Sequence, residues 1–421
     1  MIALFNFNSY LGGGETLFVR MANFLEKQGE NYILFLKKGS YIEGDLLRIG
    51  IPDSRLHAVE REIDYYYLKK EDRELLLDEI EVAIPRGEDC YLVSFCTRDL
   101  YTVCELNNRN SRYRISHLIL HNQDNLYVCQ TILDKFISKY MNNRQFSSKQ
   151  MIDFNAQLFT EVSKKYALIP QNDIQVKLWG ERFGIPLDYE KVVPLPTYDF
   201  NMTEEPTISD RSKEKKIIWI GRFVDFKLPA LCAMIRFVST HPDYYLTIVG
   251  KGDDKSINNY VHRHGLDTSR MTFVGEVQYS ELGGIIKNHS IGYAMGTSIV
   301  EIGKYGIPVI MALGNPSFQF FDKDVCGGLY DNVGKGNVGD NLYLNDNEAL
   351  QPTIEDTIST IEKDYVKSTE KCYAYIKRSF DLNTNIDSYI RIIRGCEIHH
   401  QIDCRIPQSS GIRRLLYSCF K

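Results

Sequence analysis

The chain has 421 residues, 43% of them hydrophobic and 25% charged, which is typical of a folded protein large enough for two domains. Its 50 Lys and Arg against 55 Asp and Glu give a formal net charge of −5. That balance argues against nucleic acid as a partner, because duplex binding depends on a strongly basic surface. The ten Cys form no Cys-x-x-Cys pair, and no targeting signal or long apolar run is found. We therefore expect a cytoplasmic protein without a membrane-spanning helix.

The first half of the chain alternates short apolar runs with helical patterns. The first predicted strand, Ile2–Phe7, leads through Gly12-Gly13-Gly14 into a helix from about Glu15 to Lys27. Such alternation favours a parallel sheet with helices on both faces. The other predicted strands are Tyr32–Leu36, Tyr91–Phe95, Ile115–Leu120 and Ala167–Pro170, and the other helices are Glu71–Val82 and Ile152–Lys165.

A polar segment, residues 199–216, interrupts this alternation and has the composition of a linker. After it, the predicted strands are Ile217–Ile220, Tyr244–Val249, Met271–Val274, Ile291–Met295 and Pro308–Ala312. The predicted helices are Lys227–Ser239, Lys255–His264, Tyr279–Asn288, Ser298–Tyr305, Thr353–Asp364, Val366–Phe380 and Asn385–Arg394. We therefore predict an α/β fold of two Rossmann-like, doubly wound domains facing a cleft. They span residues 1–198 and 217–395, and a basic tail, 396–421, follows them.

Ligands of open α/β sheets bind beyond the carboxyl ends of the strands, so the loops there are candidate sites. In Gly12-Gly13-Gly14, glycine permits close approach of the backbone, and the helix start offers free N–H groups to an anion. A plain strand-to-helix turn is the alternative interpretation. A dinucleotide fingerprint would need glycine where Leu17 stands, which disfavours a nicotinamide-dependent oxidoreductase.

A diphosphate site is indicated in the second half. Arg222 follows Gly221 at the end of a predicted strand, and Lys227 begins the next helix. Two cations at this position suit a diphosphate, and they can neutralise the charge of a leaving group without a metal. Two isolated surface cations are the alternative.

A second anion site is indicated at Gly296-Thr297-Ser298, where Ser298 is a candidate helix cap and the first amides face outward. Glu301 lies one turn further on. Phosphate would repel this carboxylate unless it binds a neutral group, and the vicinal hydroxyls of ribose fit that description. A glutamate that only favours the helix dipole is the alternative.

Two further positions bear on chemistry. His121 follows the predicted strand Ile115–Leu120 within a polar cluster that would face the same cleft, although a lone histidine is more often structural. Asp322 and Asp324 match an Asp-x-Asp metal pattern, but they do not follow a strand. We therefore predict no metal site.

Taken in order, Gly12-Gly13-Gly14-Glu15, His121, Gly221-Arg222 with Lys227, and Gly296 through Glu301 to Gly306-Ile307-Pro308 resemble the GT-B glycosyltransferases. The resemblance is closest to retaining glycosyltransferase family 4 and covers about residues 1–395. It implies a nucleotide-sugar donor whose nucleoside and diphosphate bind the second domain. It implies no cofactor or metal, since protein cations would take the metal's place.

The resemblance also assigns roles. Arg222 and Lys227 would hold the diphosphate and stabilise it as it leaves, and Gly221 precedes them. Glu301 would take the ribose hydroxyls. His121 would contact the sugar near its reacting carbon. The amides of Gly296, Thr297 and Ser298 would hold the distal phosphate, and Gly13 and Gly14 would let the acceptor or the donor phosphate approach the first domain.

One position departs from the family pattern, which has two glutamates separated by seven residues. The second is Glu301, and the first falls at Tyr293. This departure favours one alternative, a non-catalytic GT-B partner or binding subunit; a sugar-nucleotide epimerase on the same fold is another.

The implied function is hexosyl transfer from a nucleotide sugar to a glycan or lipid-linked acceptor. Transfer is expected with retention, in bacterial envelope polysaccharide synthesis such as that of capsule or O-antigen. The basic tail, which includes Arg413 and Arg414, predicts peripheral contact with an anionic membrane surface. A tail that packs back on the protein is the alternative.

Overall fold

The computed structural model describes residues 1–9, 13–60, 68–85, 87–120, 149–164, 168–202, 204–315, 319–339 and 351–396. The chain divides into two compact units. The first comprises Met1–Val193 together with the chain from Ile386 onward, and the second comprises Pro194–Asn385. Each unit contains its own parallel sheet, so the predicted α/β fold with two doubly wound sheets is confirmed.

The first unit is built on six parallel strands. They are β1 (Ile2–Asn6), β2 (Tyr32–Lys37), β3 (Leu56–Val59), β4 (Cys90–Ser94), β5 (Tyr113–Ile119) and β6 (Leu168–Pro170). Their order in the sheet is β3-β2-β1-β4-β5-β6. Every residue of β1 is buried, as expected for a central strand that is covered on both faces. The direction of winding reverses between β1 and β4, and this switch point is where open α/β sheets form their ligand crevice.

The helices of this unit are α1 (Gly13–Lys27), α2 (Tyr41–Arg48), α3 (Lys70–Ala83), α4 (Thr97–Arg109), α5 (Lys149–Lys164) and α6 (Asp173–Leu178). The sequence pattern missed α2, α4, α6 and β3. Strand β3 lies at the sheet edge with only Val59 fully buried, so it lacks the apolar run that identifies a central strand. Helix α1 begins at Gly13, which places Gly13 and Gly14 in its first turn instead of in a preceding loop.

The second unit is built on five parallel strands in the order β11-β10-β7-β8-β9. The strands are β7 (Lys216–Ile220), β8 (Tyr245–Val249), β9 (Met271–Gly275), β10 (Ile291–Ala294) and β11 (Val309–Met311). The helices are α7 (Leu228–Thr240), α8 (Asp254–His264), α9 (Tyr279–Lys287), α10 (Thr297–Gly303), α11 (Ile354–Lys363), α12 (Tyr365–Phe380) and α13 (Leu382–Arg394). All five strands lie where the sequence predicted them, and the switch point lies between β7 and β10.

The unit boundaries differ from the predicted domain boundaries in two ways. The polar segment 199–216 belongs to the second unit, because Phe200 is buried in its core and its amide donates to Asp381 Oδ2 at 3.3 Å. The end of α13 belongs to the first unit, because Tyr389 Oη donates to the carbonyl of Val193 at 2.8 Å. Composition shows that a segment is polar, but only packing shows which core it joins.

Candidate functional site

Two of the predicted ligand loops leave neighbouring strands at the switch point of the second unit. Strand β7 ends before Gly221, and β10 ends shortly before Gly296. The two strands pair in parallel, with Tyr293 opposite Trp219, so the loops that follow emerge side by side. The fold therefore brings the predicted cation loop and the predicted amide loop together, although Lys227 and Gly296 are 69 positions apart in sequence.

Backbone contacts fix the shape of the loop after β7. A Cβ added to Gly250 would lie 2.0 Å from the carbonyl oxygen of Gly221, and one on Gly252 would lie 2.3 Å from that of Phe223. The amide of Phe223 donates to the carbonyl of Lys251 at 2.9 Å. The loop after β7 therefore lies directly against the loop after β8, in a way that only glycine at both positions allows.

Arg222 and Lys227 occupy different environments in this loop. Arg222 is exposed, and within the described residues its side chain has no hydrogen-bond or ionic partner. Lys227 is half-buried and forms the N-cap residue of α7, with Nζ 5.9 Å from the centre of the Phe226 ring. An arginine on a rigid loop at a sheet switch point is well placed to bind an anion.

The loop after β10 corrects part of the predicted amide site. Gly296 has φ 70° and ψ −155° and forms the N-cap of α10, so Ser298 does not cap this helix as predicted. The amide of Gly296 already donates to the carbonyl of Val338 at 2.6 Å, so it is not available to a ligand. Thr297 and Ser298 are the first two residues of α10, and amides at these positions have no acceptor within the helix.

Glu301 is held by two side chains that the sequence analysis missed. Its Oε1 lies 2.6 Å from Lys304 Nζ, and its Oε2 accepts a hydrogen bond from Tyr279 Oη at 3.0 Å. The i,i+3 spacing of Glu301 and Lys304 on α10 was a usable signal. The sequence predicted a helix that begins at Tyr279, which is the first residue of α9, but it did not indicate the contact with Glu301. Tyr279 is 69% exposed.

Tyr293, which stands at the family's first glutamate position, lies within β10 and is fully buried. Its hydroxyl donates to the carbonyl of Ala230 at 3.1 Å, and its ring packs against Trp219. Burial strongly raises the pKa of this hydroxyl, so it stays neutral. A carboxylate at this position would point into the core and not toward a ligand.

A pocket of about 400 Å³ opens beside the loop after β7. Phe223, Ile257 and Phe273 supply its apolar walls, and Asp254 and Asn258 supply polar groups. The backbone of Gly250 and Gly275 completes the lining. Lys251 and Glu276 form an ion pair beside it. The combination of aromatic walls with a few polar groups suits a flat heterocycle.

The corresponding end of the first unit is more closed. Glu15 is 6% exposed and accepts a hydrogen bond from Asn8 Nδ2 at 2.5 Å, while Arg98 donates to Asn8 Oδ1. A Cβ on Gly14 would lie 2.8 Å from a methyl carbon of Leu120, so Gly14 allows α1 to approach the chain after β5. Among the residues that the structure describes, no atom lies within 4 Å of a Cβ added to Gly13.

A buried carboxyl lies beneath this network. Asp99 is inaccessible to solvent and accepts a hydrogen bond from the amide of Phe7 at 3.3 Å. Burial raises its pKa to about 6, against the opposing effect of Arg98. The histidine of this region that the structure describes is His117, which is fully buried with Nδ1 2.8 Å from Ser94 Oγ. The sequence analysis missed Asn8, Arg98 and Asp99, although each follows a strand end.

Two predicted features lie outside the described residues: His121 and the basic tail, apart from Cys396. Among the residues that the structure does describe, no His, Cys, Asp and Glu side chains cluster in a way that would hold a metal ion. Asp324, from the Asp-x-Asp pattern, instead pairs with Arg236 at 2.6 Å. In the same ranges no helix has both the length and the apolar character needed to cross a bilayer.

Comparison of the fold with solved structures identifies its type. No protein-family model matches the chain, and no curated protein sequence does. The crystal structure of Anabaena HepE in complex with UDP aligns with a TM-score of 0.60 at 13% identity, covering 94% of this chain and 99% of that one. The crystal structure of a glycosyltransferase from Rickettsia africae aligns with a TM-score of 0.60 at 13% identity, covering 94% of this chain and 98% of that one.

The lipopolysaccharide outer core galactosyltransferase WaaB is also similar, with a TM-score of 0.54 at 13% identity, covering 94% of this chain and 99% of that one. These alignments extend over nearly the whole of both chains. The chain therefore has the GT-B fold, as predicted from its sequence.

Proposed function

We propose that this protein is a glycosyltransferase that moves a sugar from a nucleotide donor to a glycan or lipid-linked acceptor. The observation that carries the proposal is the juxtaposition of the loops after β7 and β10 at the switch point of the second unit. One loop presents Arg222 and Lys227, and the other presents the amides of Thr297 and Ser298, which have no acceptor within their helix. Two cations and a helix N-terminus on adjacent loops form a site suited to a diphosphate.

The nucleoside would occupy the neighbouring pocket. Its base would lie between the aromatic side chains of Phe223 and Phe273, with the backbone of Gly250 and Gly275 at its edge. Tyr279 lies four residues after Gly275 of this pocket and donates a hydrogen bond to Glu301. This contact supports a role for the Glu301 carboxylate in binding the ribose of the same nucleoside. HepE, which shares this fold, was crystallised with UDP, with UDP and glucose, and with UDP-glucose.

The chemistry would depend on charge stabilisation of the leaving group. As the bond to the anomeric carbon breaks, negative charge develops on the departing diphosphate, where Arg222 and Lys227 would stabilise it. Protein cations of this kind replace the function of a divalent metal. The resemblance to glycosyltransferase family 4 favours retention of the anomeric configuration and contact of His121 with the sugar.

The first unit would bind the acceptor. Gly13 and the polar side chains Asn8 and Arg98 lie at the carboxyl end of its sheet, and no atom of the described residues lies within 4 Å of a Cβ added to Gly13. WaaB acts on the outer core of lipopolysaccharide, which supports a role for this chain in envelope polysaccharide assembly. The basic tail would hold it at an anionic membrane surface, where lipid-linked acceptors reside.

A panel of UDP-, GDP-, ADP- and dTDP-sugars tests the proposal. We expect at least one to raise the melting temperature and to be hydrolysed slowly, with release of the nucleoside diphosphate. Release should accelerate when an envelope glycan extract is added. NMR of the product sugar would report whether the anomeric configuration is retained. Binding without release of the nucleoside diphosphate would favour a non-catalytic subunit. Interconversion of the sugar nucleotide would favour an epimerase. The absence of any binding would contradict the proposed donor site.

A further inference from the structure

Lys304 is a buried lysine in the second unit that no sequence motif identified. Its side chain is 4% exposed. Its Nζ contacts Glu301 and donates to Tyr279 Oη at 3.2 Å. The same ammonium lies 4.1 Å from the ring centre of Tyr198 and 5.1 Å from that of Tyr305. One carboxylate and three tyrosines therefore enclose it, and their ring faces attract a cation.

This enclosure keeps the lysine charged. Burial on its own lowers the pKa of an ammonium group, but the hydrogen bond and charge of Glu301, together with Tyr279, outweigh burial and raise the pKa of Lys304. The charge is therefore permanent at physiological pH. Removing only Glu301 would leave it buried without a counter-ion, which is destabilising.

The contacts with Lys304 and Tyr279 hold the Glu301 carboxylate in one orientation. Its side chain is 18% exposed, with Oε1 held by Lys304 and Oε2 by Tyr279. A carboxylate oxygen has two lone-pair sites, so each oxygen retains one acceptor position after these bonds form. Two adjacent, immobilised acceptors match two adjacent hydroxyl donors.

We propose that Lys304 is a positioning residue that orients Glu301 to accept hydrogen bonds from a vicinal diol. This inference rests on the function proposed above, in which the vicinal diol belongs to the ribose of the nucleotide donor. Lys304 does not touch the ligand. It fixes the Glu301 carboxylate from behind, so that the ligand does not have to restrict a flexible glutamate on binding. Orientation of an acceptor in advance strengthens binding because the entropy of ordering it is already lost.

A comparison of ribose and dideoxyribose nucleotides tests this role. The nucleoside diphosphate that binds the wild type best, chosen from UDP, GDP, ADP and CDP, is compared with its 2′,3′-dideoxy form by calorimetry. We expect the wild type to prefer the ribose form about tenfold or more, since a hydrogen bond to a charged group contributes about 1.5–3 kcal/mol. In Lys304→Met most of this preference should disappear, while affinity for the dideoxy form stays unchanged.

Matched variants separate positioning from folding. Lys287→Met also removes a lysine that lies against Tyr305, with Nζ 5.5 Å from the ring centre, and it should keep the wild-type preference. Lys304→Arg keeps the charge and should restore part of the preference. If Lys304→Met does not fold, Tyr279→Phe removes the hydrogen bond to Glu301 Oε2 and the one that Tyr279 Oη accepts from Lys304, but it keeps the ion pair. It should lower the preference by a smaller factor.

Three outcomes would contradict the inference. Equal weakening of both nucleotide forms in Lys304→Met would show that the lysine only stabilises the fold. A crystal structure of Lys304→Met with the Glu301 carboxylate unmoved would overturn the positioning role whatever the ligand. A wild type that binds both forms equally well would reject the ribose contact itself, while tight diphosphate binding would leave the rest of the donor site supported.

Discussion

The two units have the same kind of switch point but use it differently. In the second unit the loops at this point expose Arg222 and leave the first amides of α10 without acceptors inside the helix. In the first unit the polar groups at the equivalent place are already paired with one another. Arg98 donates to Asn8, and Asn8 donates to the nearly buried Glu15.

This difference indicates how each unit would treat a charged ligand. A site for a diphosphate needs cations that are not neutralised by protein carboxylates, and Arg222 meets that condition within the described residues. In the first unit Glu15 offsets the charge of Arg98 through Asn8, which suits a neutral, hydroxyl-rich acceptor better than an anion. The same topology would therefore suit the proposed anionic donor in one unit and the proposed neutral acceptor in the other.

The largest expected effect tests the two cations of the loop after β7. Arg222→Ala and Lys227→Ala should each lower turnover about 10²–10³-fold, as expected when one group that stabilises developing negative charge is lost. Because Arg222 is exposed, its removal should leave the melting temperature unchanged. Initial rates of nucleoside diphosphate release measure the effect. Arg263→Ala removes another exposed arginine of the second unit and serves as the control. If both site variants release the nucleoside diphosphate at the wild-type rate, the cations of the second unit do not form the diphosphate site, and the proposed contrast with the first unit is wrong.

A second prediction tests the buried carboxyl of the first unit. Because burial raises the pKa of Asp99 to about 6 in the folded protein, protonation favours folding, and this contribution is lost as pH rises from about 4 through about 6. Asp99→Asn cannot ionise. Its stability relative to the wild type should therefore improve by at most about 3 kcal/mol between pH 4 and pH 8.

Urea unfolding at a series of pH values measures this difference. Asp243→Asn removes an exposed carboxyl and serves as the control. A pH-independent difference for Asp99→Asn would mean that the carboxyl titrates normally, and that the first unit is less closed at its switch point than described.

The smallest expected effect concerns the shape of the cation loop. Gly250 has φ 144°, and a Cβ there would meet the carbonyl of Gly221 at 2.0 Å. Gly250→Ala should destabilise the protein by about 2 kcal/mol and weaken nucleotide binding, since the loop that carries Arg222 must shift. Gly284→Ala, inside α9 with no atom within 4 Å of the added carbon, should be neutral or slightly stabilising. Equal effects of the two substitutions would show that the loop tolerates the displacement.

Much of this architecture could be predicted from the sequence. The strands of the second sheet were predicted because they are continuous apolar runs bounded by glycine and polar residues, and Gly221, Arg222 and Lys227 lie where a strand passes into a helix. The edge strand β3 was missed because only one of its four residues is fully buried, so it lacks an apolar run. Helix α4 does carry a buried apolar face, a signal that the sequence analysis did not use.

The candidate site was harder to predict than the fold. Ser298 was expected to cap α10, but the capping position falls at Gly296, whose amide is taken by Val338. Tyr293 stood out as a missing glutamate, and only its burial within β10 shows that a carboxylate would have no ligand to contact there. Register within a loop depends on where the strand ends, and a short motif does not specify it.

The sequence by itself determined the class of fold and the location of the loops, because hydrophobic periodicity and glycine placement act over a few residues. Only the tertiary structure decided which polar groups are paired and which are open to a ligand. Tyr279 and Glu301 are 22 residues apart, and Asn8 and Arg98 are 90 apart. Contacts over such separations form only when the strands assemble into a sheet, so nothing in the local pattern encodes them.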